Sequence, residues 1–262
     1  MCGIAGYSLS RSSAIDRTRA AQALLAAIAE RGADAVGYAH RSPGLPIVLH
    51  KQRSGASAVL ELIEIPADAH QVLLHVRDYT KGHPDIEANN HPVRHGVVFG
   101  IHNGTVVNDD ELMARHGFER AEREMSVDSE VIFALAEANG GTADGFEEFR
   151  GSMAAAWLDE RHPDLLYLAR GVGRPLWVGT TRRELFFAST REALEIADRY
   201  TGLRLRKREV HEGKLAAIKG ARAVRVDTFV PDPTYEPDPL PAVRAPHEGA
   251  FCLQQLAALS GA

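Results

Sequence analysis

"MCGIAGYSLS", residues 1–10, places one of the chain's two cysteines directly behind the initiator methionine. Chain ends fray unless tied down, so packing gives a thiol little reason to sit there. Chemistry gives it one. With Met1 removed, Cys2 would carry a thiol and a free α-amine on the same residue. A thiol alone is only a few per cent thiolate near pH 7. An α-amine, with a pKa of about 7.7–8.0, is in part a free base there and can take the thiol proton through a water. The same run is β-compatible and glycine-punctuated, which predicts a buried first strand that starts at the nucleophile. Taken alone, Cys2 also fits a small buried side chain in that strand.

Working outward, Ala21, Leu24, Leu25 and Ile28 follow helical spacing, with Gly32 where a C-cap would stand. Strand-like runs follow: "AVGYAH", "PIVLHK", "QVLLHVR" and "GVVFGIH". Between the last two lies "DYTKGHPDIEANNHPVRH", a long loop of the kind that often carries function. "NDDELMARHG" reads as a short helix capped at Asn108 or Asp109 and stopped by Gly117, and "DSEVIFALAEANG" as a second. Short strands dominate thereafter ("SMAAAWLDE", "DLLYLAR", "PLWVGT", "ELFFAS", "LRLRKREV", "KLAAIK"), broken by one helix, "TREALEIADRY". Strands in runs with helices segregated between them give an α+β fold built on antiparallel pairing.

The chain has 262 residues, 45% hydrophobic and 25% charged, with a net charge of −5. That balance offers no electrostatic case for nucleic acid or an anionic membrane. The absence of a long apolar run or a leader-like start, and cysteines only at 2 and 252, point to a cytoplasmic, reducing setting. No glycine-rich phosphate loop is present, and no cofactor or metal is expected. His83, His91, His95 and His102 cluster, but Pro92 and a loop context argue against a helical metal site. From 231 the composition changes: "PDPTYEPDPLPAVRAP" has proline at six of sixteen positions, which favours an extended tether. A short apolar tail, "GAFCLQQLAAL", follows, and docking on the body is the simpler expectation for it.

"MCGIAG", "RGADAVGYA", "HVRDYTKG", "NNHP", "HNG" and "VDSEVI", in that order and register, resemble the glutaminase domain of class II glutamine amidotransferases, the N-terminal-nucleophile type. Such domains feed ammonia to glucosamine-6-phosphate synthase, amidophosphoribosyltransferase and asparagine synthetase. "GSMAAAWLD", "RGVGRPLWVG", "LFFASTREAL" and "EVHEGKLAAI" extend the resemblance over roughly residues 2–218. It implies a four-layer αββα sandwich of two antiparallel sheets, the Ntn-hydrolase architecture, over a domain spanning 2–230, with 231–262 as a proline-rich tether and tail.

The resemblance also assigns roles. Cys2 would attack the carboxamide of L-glutamine and form a γ-glutamyl thioester. Asn103 and Gly104 would supply the oxyanion donors, although Asn-Gly alone spells a type I′ hairpin turn. Arg77 would clamp the substrate α-carboxylate, which a planar guanidinium fork suits. Asp128 would pair with the α-ammonium, although "SVDSEV" also reads as a helix N-cap. Thr80 and His91 would belong to the glutamine loop, with Arg31 and Gly32 as a structural turn near the nucleophile. The chain departs from the family at Asp78, where the sugar-phosphate branch carries an aromatic residue, at Lys81, and at Ala33. Asp78 and Lys81 fall in the loop that covers the bound glutamine. The expected function is a glutaminase releasing glutamate and ammonia, with the ammonia passing to an acceptor or a separate synthase subunit that the sequence does not name. The alternatives are an N-terminal-cysteine amidohydrolase acting on another small γ-glutamyl amide, and a non-catalytic regulatory module of the same fold.

Overall fold

Two buried faces on the central strands dictate the layering. The computed structural model describes residues 1–236 and 242–261. In chain order its elements are β1 (Gly3–Leu9), α1 (Arg17–Ile28), β2 (Ala35–Arg41), β3 (Val48–Gln52), α2 (Ser57–Leu60), β4 (Gln71–Arg77), β5 (Val93–His95), β6 (Val98–Val106), α3 (Asp109–His116) and α4 (Glu130–Ala138). There follow β7 (Gly151–Asp159), β8 (Leu165–Arg170), β9 (Trp177–Thr180), β10 (Glu184–Ala188), α5 (Arg191–Thr201), β11 (Arg206–Glu209), β12 (Lys214–Lys219), β13 (Arg222–Thr228) and α6 (Pro246–Leu259).

The strands form two antiparallel sheets. One runs β11-β9-β10-β1-β4-β2-β3 and the other β13-β12-β8-β7-β6-β5. Every residue of β1 and of β4 is buried, as expected for central strands covered on both faces. Between the sheets Ile4, Leu73, Ile101, Ala154, Ala156, Leu168, Leu185 and Phe187 make the shared core. The outer face of the first sheet is covered by α1 and α5, with α6 packed outside them on α1 and α2, and that of the second by α4. The result is the expected αββα sandwich.

Local chemistry explains most boundaries. Asp16 accepts from the Arg19 N–H at 2.9 Å and starts α1. Gly117 ends α3 at φ +67° and Gly202 ends α5 at φ +69°. Gly32 is different from the expected C-cap. α1 ends at Ile28, a 3-10 turn covers Ala29–Arg31, and Gly32 is extended at φ −178°. It is glycine because a Cβ would sit 2.4 Å from the Arg77 carbonyl. The tether expected from 231 lies partly outside the described residues, at 237–241. Beyond it α6 docks with Cys252 and Leu256 fully buried, and the Arg244 and Ala245 N–H groups donate to the Glu30 carbonyl.

Candidate active site

Central placement of β1 brings Cys2 out at the end of the first sheet, beside Asp78 at the end of β4. The Cys2 thiol donates to the Asp78 carbonyl at 3.5 Å. Met1 precedes it, so the Cys2 nitrogen is a peptide amide, and the Met1 α-ammonium pairs with the Asp78 carboxylate. Arg244 Nε lies 3.3 Å from the same carboxylate oxygen. Burial pushes the Cys2 thiol up, and the nearby amino terminus and Arg77 pull it partly back. Arg31 is buried behind the nucleophile, where its Nε donates to the Cys2 carbonyl at 2.9 Å. Ile4, two residues on, is locked by Ser189, whose Oγ accepts from the Ile4 N–H at 2.9 Å.

Asn103 and Gly104 lie inside β6 and form no hairpin turn. Gly104 has φ +150°, and a Cβ there would approach the Ser152 carbonyl to 2.0 Å, so the position excludes any side chain. Asn103 is 0% exposed, yet neither its Nδ2 nor its Oδ1 has a hydrogen-bond partner among the described residues. A buried amide left unsatisfied costs about 1–3 kcal/mol and calls for an explanation. With Cys2, Thr80 and Gly104 it lines a cavity of about 520 Å³.

Arg77, His91 and Asp128 join Cys2, Thr80 and Gly104 around a second cavity of about 10 Å³, room for roughly one water. Arg77 is buried, with Nη1 donating to Asn90 Oδ1 at 2.5 Å and Nη2 to the Lys81 carbonyl at 2.9 Å. Asp128 does not cap α4, whose N-cap is Ser129. Its carboxylate accepts from the Val106 N–H at 2.7 Å, and burial pushes its pKa up to about 6. His91 is buried with both ring nitrogens unpartnered and stacks on His75 at 4.2 Å. Burial holds His75 and His102 at about 3 and His91 well below its ordinary range, so this histidine cluster is neutral at pH 7. His102 bonds Ser129 Oγ at 2.8 Å, His95 faces Glu130 at 2.9 Å and His83 Nδ1 accepts from the Asp85 N–H at 3.2 Å, so the histidines of the sequence cluster do not converge as one set.

Lys81, a departure from the family pattern, anchors the loop by reaching Asp109 at 2.7 Å and Asp110 at 2.9 Å on α3. All the sequence-predicted residues therefore converge: six around Cys2, with Arg31 and Gly32 behind them. Arg174 and Tyr235 line the larger cavity as well and went without a role in the sequence. "GVGRPLW" carries a visible glycine-arginine turn, but nothing in it signals which cavity it faces.

Residues 77–196 match the family model described as "Glutamine amidotransferase domain". The chain is 30% identical over 210 residues to the glutamine–fructose-6-phosphate aminotransferase (isomerizing) of Shigella flexneri, covering 74% of this chain and 32% of that one. It is 31% identical over 207 residues to the protein of the same name from Bradyrhizobium diazoefficiens, with the same coverage. It thus spans about a third of the length of these relatives. Among solved structures, the glutamine phosphoribosylpyrophosphate amidotransferase of B. subtilis superposes with a TM-score of 0.65 at 18% identity, covering 87% of this chain and 49% of that one. A structure described as the allosteric regulatory enzyme of purine biosynthesis gives 0.67 at 19% identity, with the same coverage. At these identities the superpositions speak for the fold.

Proposed function

Because this chain carries a glutamine amidotransferase domain of the class II, N-terminal-nucleophile type, we propose that it hydrolyses L-glutamine to glutamate and ammonia through a γ-glutamyl thioester on Cys2. The observation that carries the reading is the buried, unpartnered Asn103 amide on the cavity it shares with Cys2. Its Nδ2 is a preorganised donor awaiting the oxyanion, and one such donor typically accounts for about 3–4 kcal/mol of the barrier. In the mature chain the Cys2 amine takes the thiol proton, sulfur attacks the side-chain carboxamide carbon (Cδ), and the carbonyl oxygen turns to Asn103 Nδ2 and the Gly104 N–H. The C–N bond breaks, the amine proton goes to the departing nitrogen, and water then cleaves the thioester. The neutral histidines contribute no charge and no strong base to this sequence.

Arg77 and Asp128 hold the two ends of a free amino acid, which selects glutamine over a peptide-bound amide. The clamp end is closed around itself here, so substrate must displace the loop carbonyls from the Arg77 guanidinium. We take residues 2–230 as the glutaminase body. The described parts of the 231–262 segment border the site: Asp232, Thr234 and Tyr235 line the Cys2 cavity, and Arg244 returns to Asp78. The ammonia acceptor would be a separate synthase subunit set over that mouth, in the cytoplasm. No helix of the described residues is long and apolar enough to cross a membrane.

Ammonia release from glutamine by the mature protein, with Cys2→Ala as control, tests the reading. Turnover that survives in Cys2→Ala, or a wild-type protein of verified N-terminal cysteine that leaves glutamine untouched, would overturn it.

A further inference from the structure

The two cavities that Cys2 lines are unequal. The one holding Arg77 and Asp128 measures about 10 Å³ and the one holding Asn103 about 520 Å³. Ammonia needs about as much room as one water, roughly 10–15 Å³ measured in the same way. The larger cavity falls instead within the range of small-molecule sites, about 300–1,000 Å³. Its position is informative. Arg77 and Asp128, placed at the α-groups of the glutamyl half, line only the smaller cavity, and Asn103, placed at the carbonyl oxygen, lines only the larger. The larger cavity is thus at the carboxamide end of the substrate, where the amide nitrogen and any substituent on it also belong.

One lining residue has unspent binding capacity. Arg174 is 8% exposed, its Nε has no partner, and no carboxylate lies within ion-pair distance of it among the described residues. A desolvated guanidinium without a counter-ion is unfavourable unless something supplies the anion. Its Nη1 donates to the Gly173 carbonyl at 2.9 Å and to the Tyr235 hydroxyl at 3.2 Å. Tyr235 is set close over Gly173, where a Cβ would meet the ring at 2.2 Å, so arginine and wall are placed together. The carboxylates nearest the cavity already have partners. Asp232 accepts from the Gly151 and Thr234 N–H groups at 2.9 and 2.8 Å, and Asp78 pairs with the amino terminus and Arg244. Glu236 is exposed at the rim.

We infer that this cavity receives the amine half of a γ-glutamyl amide larger than glutamine, with Arg174 meeting a carboxylate on that half. The substrate class is γ-glutamyl amino acids, an inference that rests on the thioester reading above and extends it. The step balances as before: the bond from Cys2 Sγ to the side-chain carbonyl carbon (Cδ) forms, the Cδ–N bond breaks, the departing nitrogen takes the proton held by the Cys2 amine, and a free amino acid leaves. Water then releases glutamate and restores the thiol. Nothing is oxidised or reduced.

The test compares three substrates on the mature protein: L-glutamine, γ-L-glutamyl-L-leucine, and the same dipeptide with its C-terminal carboxylate converted to the carboxamide. Glutamate release is measured for each. The account expects kcat/KM for the dipeptide acid to exceed that for its carboxamide by about tenfold or more, the scale on which one matched charged contact discriminates. In Arg174→Gln that acid-to-amide ratio should fall to about one, and Arg174→Lys should restore part of it. The ratio is internal to each variant, so partial misfolding does not mimic it, and the wild-type preference stands without any variant. Glutamine cleaved with both dipeptides left intact, or acid and carboxamide cleaved alike, would overturn the inference and leave the glutaminase reading standing. Dipeptide acid cleaved with glutamine untouched would do the reverse. No cleavage of any of the three overturns both, and a ratio unchanged in Arg174→Gln removes Arg174 from the role.

Discussion

Replacing Asp128 with asparagine should make the protein more stable near neutral pH while weakening its hold on substrate. Asp128 is 3% exposed, and burial raises its pKa from 3.8 to about 6. Between those values the folded chain binds more protons than the unfolded chain, so stability falls as pH rises through that window. Integrated to pH 7.5, this carboxylate costs about 3 kcal/mol, and at pH 4 only about 0.5 kcal/mol, because below the window both states are protonated. Asparagine keeps an oxygen that can accept from the Val106 N–H and removes the buried charge. Urea unfolding followed by tryptophan fluorescence, with Trp157 fully buried as reporter, measures the difference. The expected gain for Asp128→Asn is about 2–3 kcal/mol at pH 7.5, shrinking to within error of zero by pH 4. Equal or lower stability at pH 7.5, or a gain that does not depend on pH, would refute the reasoning. A carboxylate retained at such a cost, on the small cavity beside Cys2, is what a binding partner for an ammonium would look like.

The same group sets a kinetic expectation. KM for glutamine should rise as pH falls through about 6, where Asp128 takes up a proton, and this rise should vanish in Asp128→Asn; initial rates between pH 5 and 8 decide it. Asn103→Ala should lower kcat on the order of 10²–10³-fold with a smaller change in KM, as single-turnover rates would show, and a near-native rate would remove Asn103 from the oxyanion role. The two thiols should differ sharply towards iodoacetamide. Burial and Glu248 push Cys252 up to about 12, so at pH 8 its thiolate is about one part in 10⁴. Peptide mapping should find Cys2 alkylated first, and equal labelling would mean that α6 does not stay docked.

Much of this architecture was legible in the sequence, and the exceptions are physical. The alternating and fully apolar runs marked the major strands, and Gly117 stops α3 as its chemistry suggests. Gly32 misled because a glycine after a helix is usually a cap, whereas here it admits the Arg77 backbone. Asn103-Gly104 spelled a turn and proved to be strand, since pairing with β7 overrides a local preference. Asp128 looked like a cap because it stands one residue before the true one, Ser129. β13 went unread because its face is largely exposed and its residues are polar or isolated valines. Arg174, Tyr235 and the Asp78–Arg244 pair were invisible for a different reason: the contacts join positions 61 and 166 residues apart, and no local pattern encodes them.

The central claim is that sulfur at the chain's leading residue becomes acylated by the glutamyl group while that residue's own amine moves the proton. Intact-mass analysis of protein mixed with glutamine and quenched in acid within a single turnover tests it most directly. The account predicts a γ-glutamyl adduct mapped to Cys2, present only on molecules that have lost Met1. Full-rate ammonia release from molecules that all retain Met1, or turnover with no adduct at Cys2 under conditions that trap thioesters, would contradict it.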